Sequence, residues 1–145
     1  MKKSIKTIPG ILFVSILFTF SAIAQERTSF NIHRTIELKN DSENKEVIIE
    51  VNEKDCRFNL RVNSLAQAGE IRIEIYDPEG KKQGNFSVGC EIDSKNSNET
   101  VNGMIAKLIE NPTLGKWKVK ILPKNASGKV MVEFSQDMNI KERNN

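Results

Sequence analysis

The chain has 145 residues, with 22 Lys and Arg against 19 Asp and Glu. Residues 1–24 contain three lysines and no acidic residue, so residues 25–145 carry 19 basic and 19 acidic side chains and are formally neutral. That balance gives no electrostatic argument for nucleic-acid binding, and 145 minus 24, or 121, residues are enough for one domain.

The first 24 residues have the pattern of a secretory signal peptide. Three lysines precede an apolar run over residues 11–20, and Ala22-Ile23-Ala24 then fits a cleavage site, which predicts cutting before Gln25. The apolar run is too short for an ordinary membrane span, so no span is expected after cleavage. The alternative is that the segment is retained as a signal anchor. No cysteine lies near the cleavage point, which argues against a lipid anchor. We therefore expect an exported protein, either periplasmic or secreted.

Three strands are predicted in the first part of the mature chain. Apolar and polar residues alternate over residues 30–39, with Arg34 as the exception on the apolar side. The alternation returns over residues 47–51 and, most regularly, over residues 56–62. Polar residues at 40–45 and 52–55 predict turns between these strands.

A β-hairpin is predicted over residues 69–92. Ile71, Ile73 and Ile75 share one face, and the alternation resumes at residues 86–92 after the turn Asp77-Pro78-Glu79-Gly80. Such a hairpin is half-buried, so its apolar face needs a second sheet to cover it. Residues 64–69 are predicted to connect it to the preceding strand.

The remaining chain predicts three more strands. Residues 101–109 fit either a bent strand or two turns of helix, and Gly103 favours a strand with a bulge. Residues 117–121 and 130–134 alternate cleanly around a turn at 123–128. About eight short antiparallel strands predict an all-β, two-sheet β-sandwich of the jelly-roll kind over residues 25–138, with a small closed β-barrel as the alternative and a polar tail at 139–145.

The two cysteines, Cys56 and Cys90, both fall on the inward phase of their strands. An even number of cysteines in an exported protein predicts a disulfide, which would close a loop of 90 minus 56 plus 1, or 35, residues and contribute roughly 4 kcal/mol. Two separate buried thiols are the alternative, since cysteine packs well as a small apolar residue. Two cysteines and one histidine do not make a usual structural zinc site.

The sequence lacks the usual catalytic motifs. His33 lies on the polar side of a strand and is expected at the surface, and no Gly-x-Ser-x-Gly, glycine-rich phosphate loop, HExxH or CxxCH motif occurs. We therefore expect no cofactor and no enzymatic activity. The alternative is a glycan-active enzyme using carboxylates alone, from Glu74, Asp93 or Glu133, although 121 residues leave little room for a deep cleft.

Two places could bind a ligand. Asp77 and Glu79 at the hairpin tip are calcium candidates, against the simpler interpretation that Asp-Pro-x-Gly is an ordinary turn. A basic stripe could meet an anionic glycan or lipid headgroup, or could instead protect an edge strand from unwanted pairing; its residues are Lys116, Lys118 and Lys120. Trp117 shares its phase with apolar residues and is expected in the core.

The segments IEIYDPEG (73–80) and GKWKVKI (115–121) resemble the jelly-roll modules attached to secreted peptidases, namely bacterial pre-peptidase C-terminal domains and the P domains of subtilisin-like convertases. In those families a hydrophobic strand ends in a P-x-G turn, and a later Gly-x-Trp or Gly-x-Tyr opens another strand. The resemblance spans about residues 55–134 and implies an accessory, non-catalytic module. No peptidase domain lies in this sequence, and the cysteine pair is not part of the family pattern.

The hypothesis that follows is a small exported β-sandwich that catalyses nothing and binds an envelope or extracellular protein or glycan. A further alternative is a subunit or inhibitor that donates or accepts an edge strand.

Overall fold

The structure is a computed structural model that describes residues 29–54, 56–91 and 99–138. The predicted signal peptide, the polar tail and Asp93 lie outside the described residues. The described residues form six strands: β1 (Ser29–Asp41), β2 (Lys45–Val51), β3 (Cys56–Tyr76), β4 (Lys82–Cys90), β5 (Val101–Glu110) and β6 (Gly115–Met138). Every pair of neighbouring strands is antiparallel.

The two long strands, β3 and β6, pair with each other from one end to the other and hold the remaining four. The first part of β3 pairs with β5 and the second part with β4, while the first part of β6 pairs with β2 and the second part with β1. This gives a first sheet in the order β1, β6 (126–138), β3 (56–66), β5, and a second sheet in the order β2, β6 (115–123), β3 (69–76), β4.

Both long strands bend where they pass from one sheet to the other, and glycine is needed on each. Gly69 and Gly128 have φ values of 69° and 147°. A Cβ atom on Gly69 would collide with the carbonyl oxygens of Lys124 and Asn125, and one on Gly128 would collide with the carbonyl oxygen of Leu65. The pairing register of β3 and β6 also shifts between Ala66 and Glu70, as expected of a bulged bend.

The predicted fold class is confirmed, with a correction to the strand count. Residues 64–69 and 123–128 were expected to leave the sheet, but they continue β3 and β6 through the bend, so eight predicted segments form six strands. When β3 and β6 are each counted twice, the sheets run 1-8-3-6 and 2-7-4-5, which is the strand order of a jelly roll. Among the described residues the sheet has free edges and is not closed into a barrel.

The core lies between the two sheets. Phe58 of the first sheet packs on Trp117 of the second, with ring centroids 4.8 Å apart, and on Phe134, at 5.1 Å. The predicted core position of Trp117 is confirmed: the ring is buried, and its N–H donates a hydrogen bond of 2.9 Å to the carbonyl oxygen of Thr113. The hairpin isoleucines at 71, 73 and 75 are also fully buried, as their alternation predicted.

The predicted bulge in residues 101–109 is wrong. β5 is a regular strand that pairs with β3 without a register shift from Val101 to Glu110. Gly103 serves a different purpose, because a Cβ atom there would collide with Val88 and lie 2.9 Å from the ring of Phe86 on β4. The missing side chain lets the edges of the two sheets pack closely on this side of the sandwich.

Candidate functional site

The structure contradicts the predicted disulfide, because Cys56 and Cys90 are not bonded to each other and lie at opposite ends of the sandwich. Cys90 pairs with Gly69 at the bend, whereas Cys56 opens β3 ten positions before Ala66, about 30 Å at about 3.3 Å per residue. A disulfide needs Cα atoms about 4.4–6.8 Å apart. Both side chains are buried, and their thiols point at carbonyl oxygens, Cys56 at that of Glu53 (2.9 Å) and Cys90 at that of Glu99 (3.5 Å).

The carboxylate of Asp77 is engaged by its own turn. One oxygen accepts the backbone N–H groups of Glu79 (3.0 Å) and Lys81 (2.9 Å), and the other accepts the side-chain amide of Gln83 (2.7 Å). Burial raises the pKa of Asp77, but these hydrogen bonds outweigh it and leave the pKa below its usual value. Within the described ranges no cluster of three or more His, Cys, Asp or Glu residues could hold a metal ion. The arrangement explains the turn without a cation.

The lysine stripe runs down the outer face of the second sheet on a central strand, not an edge strand. β6 lies there between β2 and β3, so protection of a free edge does not explain Lys116, Lys118 and Lys120. Acidic residues stand beside the stripe on β2, and Lys118 Nζ lies 3.9 Å from Glu46. Lys120 Nζ lies 5.0 Å from the centroid of the Tyr76 ring, a cation–π distance. The stripe is therefore partly neutralised by its own sheet.

Glu74 is the centre of the charge cluster on the same face. Its carboxylate accepts hydrogen bonds from Lys82 (2.9 Å) and from the hydroxyl of Tyr76 (2.7 Å), and Arg72 Nε lies 3.6 Å away. The hydrogen bond from Lys82, followed by the one from Tyr76, holds the pKa of Glu74 below its usual value. A carboxyl group in this setting is ionised at neutral pH and is a poor general acid.

The outer face of the first sheet carries a row of polar residues across three strands. Glu133 on β6 lies between His33 on β1 and Arg61 on β3, with Nδ1–Oε1 and Nη1–Oε2 distances of 3.5 and 3.7 Å. This row forms part of the lining of a shallow hollow of about 330 Å³. His33 is exposed, as predicted. Because Glu133 and Glu74 lie on the outer faces of opposite sheets, they cannot flank one glycosidic bond.

A second, wider hollow of about 730 Å³ lies at the bend, where Gly69, Gly89 and Lys124 contribute to its wall. Glu70 at its rim accepts a hydrogen bond of 2.7 Å from the hydroxyl of Ser87. Two acidic residues and one lysine of the described chain line this hollow.

The outer face of β5 exposes a line of apolar side chains that the sequence reasoning did not single out. Met104 and Leu108 have exposed fractions of 60% and 62%, and Ala106 between them is also exposed. We call Met104, Ala106 and Leu108 the β5 stripe. β5 pairs only with β3 among the described residues, so the stripe lies on a free sheet edge. The alternation of these residues was visible in the sequence. The sequence did not show that the β5 stripe points to solvent, because a helix remained an alternative for this segment.

The other edge strands are protected in ways that β5 is not. β1 carries charged residues on its outer face, including Glu37 and Lys39, and β2 is only seven residues long with Glu46 and Glu50 facing out. β4 begins with lysine and presents Asn85 and Ser87 outward. Charges and short length are the usual means by which edge strands avoid pairing. β5 therefore differs from every other described edge.

Two solved structures show distant likenesses to the chain. No family model and no curated protein matches the chain, so the resemblance to pre-peptidase C-terminal domains stays a hypothesis. Among solved structures, dimeric latent PorU from Porphyromonas gingivalis matches with a TM-score of 0.48 and 7% identity over 76% of this chain and 13% of that one. A protein of the disulfide-linked pili of Bacillus endospore appendages matches with a TM-score of 0.43 and 11% identity, over 79% of this chain and 92% of that one.

The chain thus spans about one eighth of the PorU chain, and neither likeness is close enough to carry a function. In the part of the chain that the structure describes, no helix has the length and apolarity needed to cross a membrane.

Proposed function

We propose that this chain is an exported, non-catalytic module that binds a partner protein through the β5 stripe and the free edge of β5. The observation that carries the proposal is an apolar edge strand of ten residues whose outer face is left exposed at Met104 and Leu108. Export rests on the predicted signal peptide at residues 1–24 and on cleavage before Gln25.

The surroundings of the stripe suit a protein interface. Polar and charged groups border it: Arg57 Nη2 lies 3.3 Å from Glu110 at one end, and Arg61 stands opposite Ala106 on β3. An apolar centre with a polar rim is the usual composition of such interfaces. A free edge adds unpaired backbone N–H and C=O groups, which a partner strand can satisfy.

A protein partner is favoured over a glycan by the state of the lysine stripe. Two of its lysines already have partners, Lys118 beside Glu46 and Lys120 over Tyr76, so an anionic glycan would compete with groups of the same sheet. The β5 stripe has no such internal competitor, because its side chains are apolar and point to solvent.

The test compares three tagged variants, each expressed as the full chain and exported by cells of the source organism that also produce the untagged chain. Met104→Lys and Leu108→Lys put a charge on the stripe, and Ile48→Lys puts the same charge on the edge strand β2, where Ile48 is 48% exposed. Mass spectrometry of the captured material should show a protein that wild type and Ile48→Lys retain and that both stripe variants lose.

Circular dichroism shows whether all variants keep the fold. A captured protein that all three folded variants retain would place binding elsewhere and overturn the proposal.

A further inference from the structure

We propose that the partner at the β5 stripe is a second copy of this chain, joined by antiparallel pairing of β5 with its two-fold-related copy. This inference rests on the proposed function and names its partner. Pairing of two edges would merge the first sheets of both copies into one continuous layer of eight strands, four from each chain.

The β5 sequence is self-complementary when it is reversed about Ala106. In that register the two Ala106 residues face each other, Met104 of each copy faces Leu108 of the other, and Asn102 faces Glu110. All of these residues lie on the outer face, because opposite residues of an antiparallel pair point to the same side. Apolar groups thus meet apolar groups and the polar ends meet each other.

The register is chosen by the large apolar residues. Moving it by two residues would set Met104 opposite Ala106 and Leu108 opposite Asn102, and would lose the direct contact between the large side chains. The centred register also pairs nine of the ten residues of β5, positions 102–110. Cross-strand pairs of this kind are the unit that stabilises a sheet.

Nothing on β5 opposes the pairing. The strand has no proline and no bulge, and its charged residues are only Lys107 and Glu110. Lys107 belongs to the inner phase and reaches toward β4, where its Nζ would be 3.7 Å from a Cβ atom placed on Gly84. The strand is also long enough, at about 3.3 Å per residue, to offer an edge of about 30 Å.

The two-fold arrangement predicts a closed dimer. Each copy uses its single β5 edge once, so no free β5 edge remains to recruit a third copy. The remaining edges carry the charges or the short length described above, which limits growth from the far side of the layer.

The first test is sedimentation equilibrium of the protein purified after export, over a range of concentrations, for wild type, Met104→Lys, Leu108→Glu and the double variant M104K/L108E. Each single change sets a charge against an apolar side chain twice per dimer and should weaken the dimer by roughly tenfold or more. In the double variant each introduced lysine faces an introduced glutamate across the two-fold axis, so dimerisation should recover substantially.

The second test is Ala106→Cys, which places two thiols at the centre of the predicted pairing. Directly opposite residues have Cα atoms about 4.5–5.5 Å apart, within the range of a disulfide. Mild oxidation should give a covalent dimer, detected on a non-reducing gel. Ile48→Cys is the matched control on the edge of β2 and should remain monomeric under the same conditions.

The outcomes separate this inference from the proposed function. A concentration-dependent dimer with rescue in the double variant supports the inference. Wild-type protein that stays monomeric, while Met104→Lys still loses a captured protein, leaves the proposed function standing and overturns the second copy as its partner. Dimers that both single variants preserve would overturn β5 pairing as the cause of association. Unlimited aggregation that the stripe variants abolish would overturn the closed two-fold arrangement.

Discussion

The outer faces of the two sheets differ although the same two strands run through both. On the second sheet, charged residues of opposite sign alternate between strands, and Glu74 alone accepts hydrogen bonds from Lys82 and Tyr76. On the first sheet the outer face of the last strand, β5, exposes the apolar residues Met104, Ala106 and Leu108, and the one charged residue on that face of β5 is Glu110 at its end. The charged groups on the outer face of the second sheet therefore find partners within the chain, whereas the first sheet ends in an apolar edge strand.

The comparison shows that a surface residue has to be judged by its neighbours across the sheet. The lysines of β6 form the most obvious sequence pattern, yet they lie in the middle of a sheet beside the carboxylates of β2 and β3. β5 has an inconspicuous sequence, but among the described residues β3 is the only strand with which it forms backbone hydrogen bonds. The lysine stripe is the more obvious pattern in the sequence, but it is less available to a partner than the β5 stripe.

The two sheets share one core, and the largest predicted effect comes from a change in the contact that joins them. Phe58 of the first sheet contacts Trp117 of the second, so Phe58→Ala should remove the main aromatic contact between layers. We expect a loss of about 3–5 kcal/mol in the free energy of unfolding, measured by urea denaturation.

The matched control is Phe30→Ala on the same sheet. Phe30 is 55% exposed and meets Phe134 only edge-on, with centroids 6.2 Å apart, so its removal should cost far less. Equal losses for the two variants would show that the aromatic contact between the sheets is not what joins them.

The second prediction concerns the turn at the end of the second sheet. Asp77→Ala removes the acceptor of three hydrogen bonds and leaves the amide of Gln83 without that partner, which should cost about 1–3 kcal/mol. Glu79→Ala, at an exposed position of the same turn, is the control and should change little. Calcium should not raise the melting temperature of wild type; a rise that Asp77→Ala abolishes would make Asp77 a ligand after all.

A pH titration sharpens the comparison further, because the charge network of the second sheet should respond to acid. The folded-state pKa values of Glu74 and Asp77 are lowered, so their contribution to stability is present above the unfolded-state values, near 4, and is lost as the pH falls through the lowered values. Lys82 has a raised pKa, so its contribution is present below the unfolded value and is lost as the pH rises through the raised one.

The measurement is the free energy of unfolding of wild type and Glu74→Gln from pH 2 to 7. The variant should start lower at pH 7 and lose less on acidification. Parallel curves for the two proteins would show that Glu74 carries no such linkage.

Periodicity in the sequence predicted the fold well, since each of the eight predicted segments coincides with part of a strand among the described residues, and the two-sheet jelly roll is built from those strands. It could not show that residues 64–69 and 123–128 stay in the sheet, because a bulged bend uses the same Gly, Asn and Pro residues as a turn. The disulfide prediction was wrong for a related reason. Alternation predicts that both cysteines point into the core, but it does not predict which end of the sandwich each one occupies.

The candidate site was harder to predict than the fold. The outward phase of Met104 and Leu108 depends on β5 being a regular strand, and Gly103 had suggested a bulge that would have shifted that phase. Gly103 in fact reports a tertiary contact, the close approach of Val88 and Phe86, which a single sequence does not reveal.

The smallest predicted effect belongs to the polar row of the first sheet. Glu133→Gln removes the charge between His33 and Arg61. All three side chains are about half exposed, with exposed fractions of 46% for Glu133, 58% for His33 and 54% for Arg61. Exposed ion pairs contribute about 0–1 kcal/mol, so the free energy of unfolding should change by less than about 1 kcal/mol. Dimerisation should also be unaffected, because Glu133 lies on β6 and β3 separates it from β5. A Glu133→Gln variant that dimerised as poorly as Met104→Lys would move the interface from the edge of the first sheet to its face, and the difference between the two sheets would then lie in their polar rows.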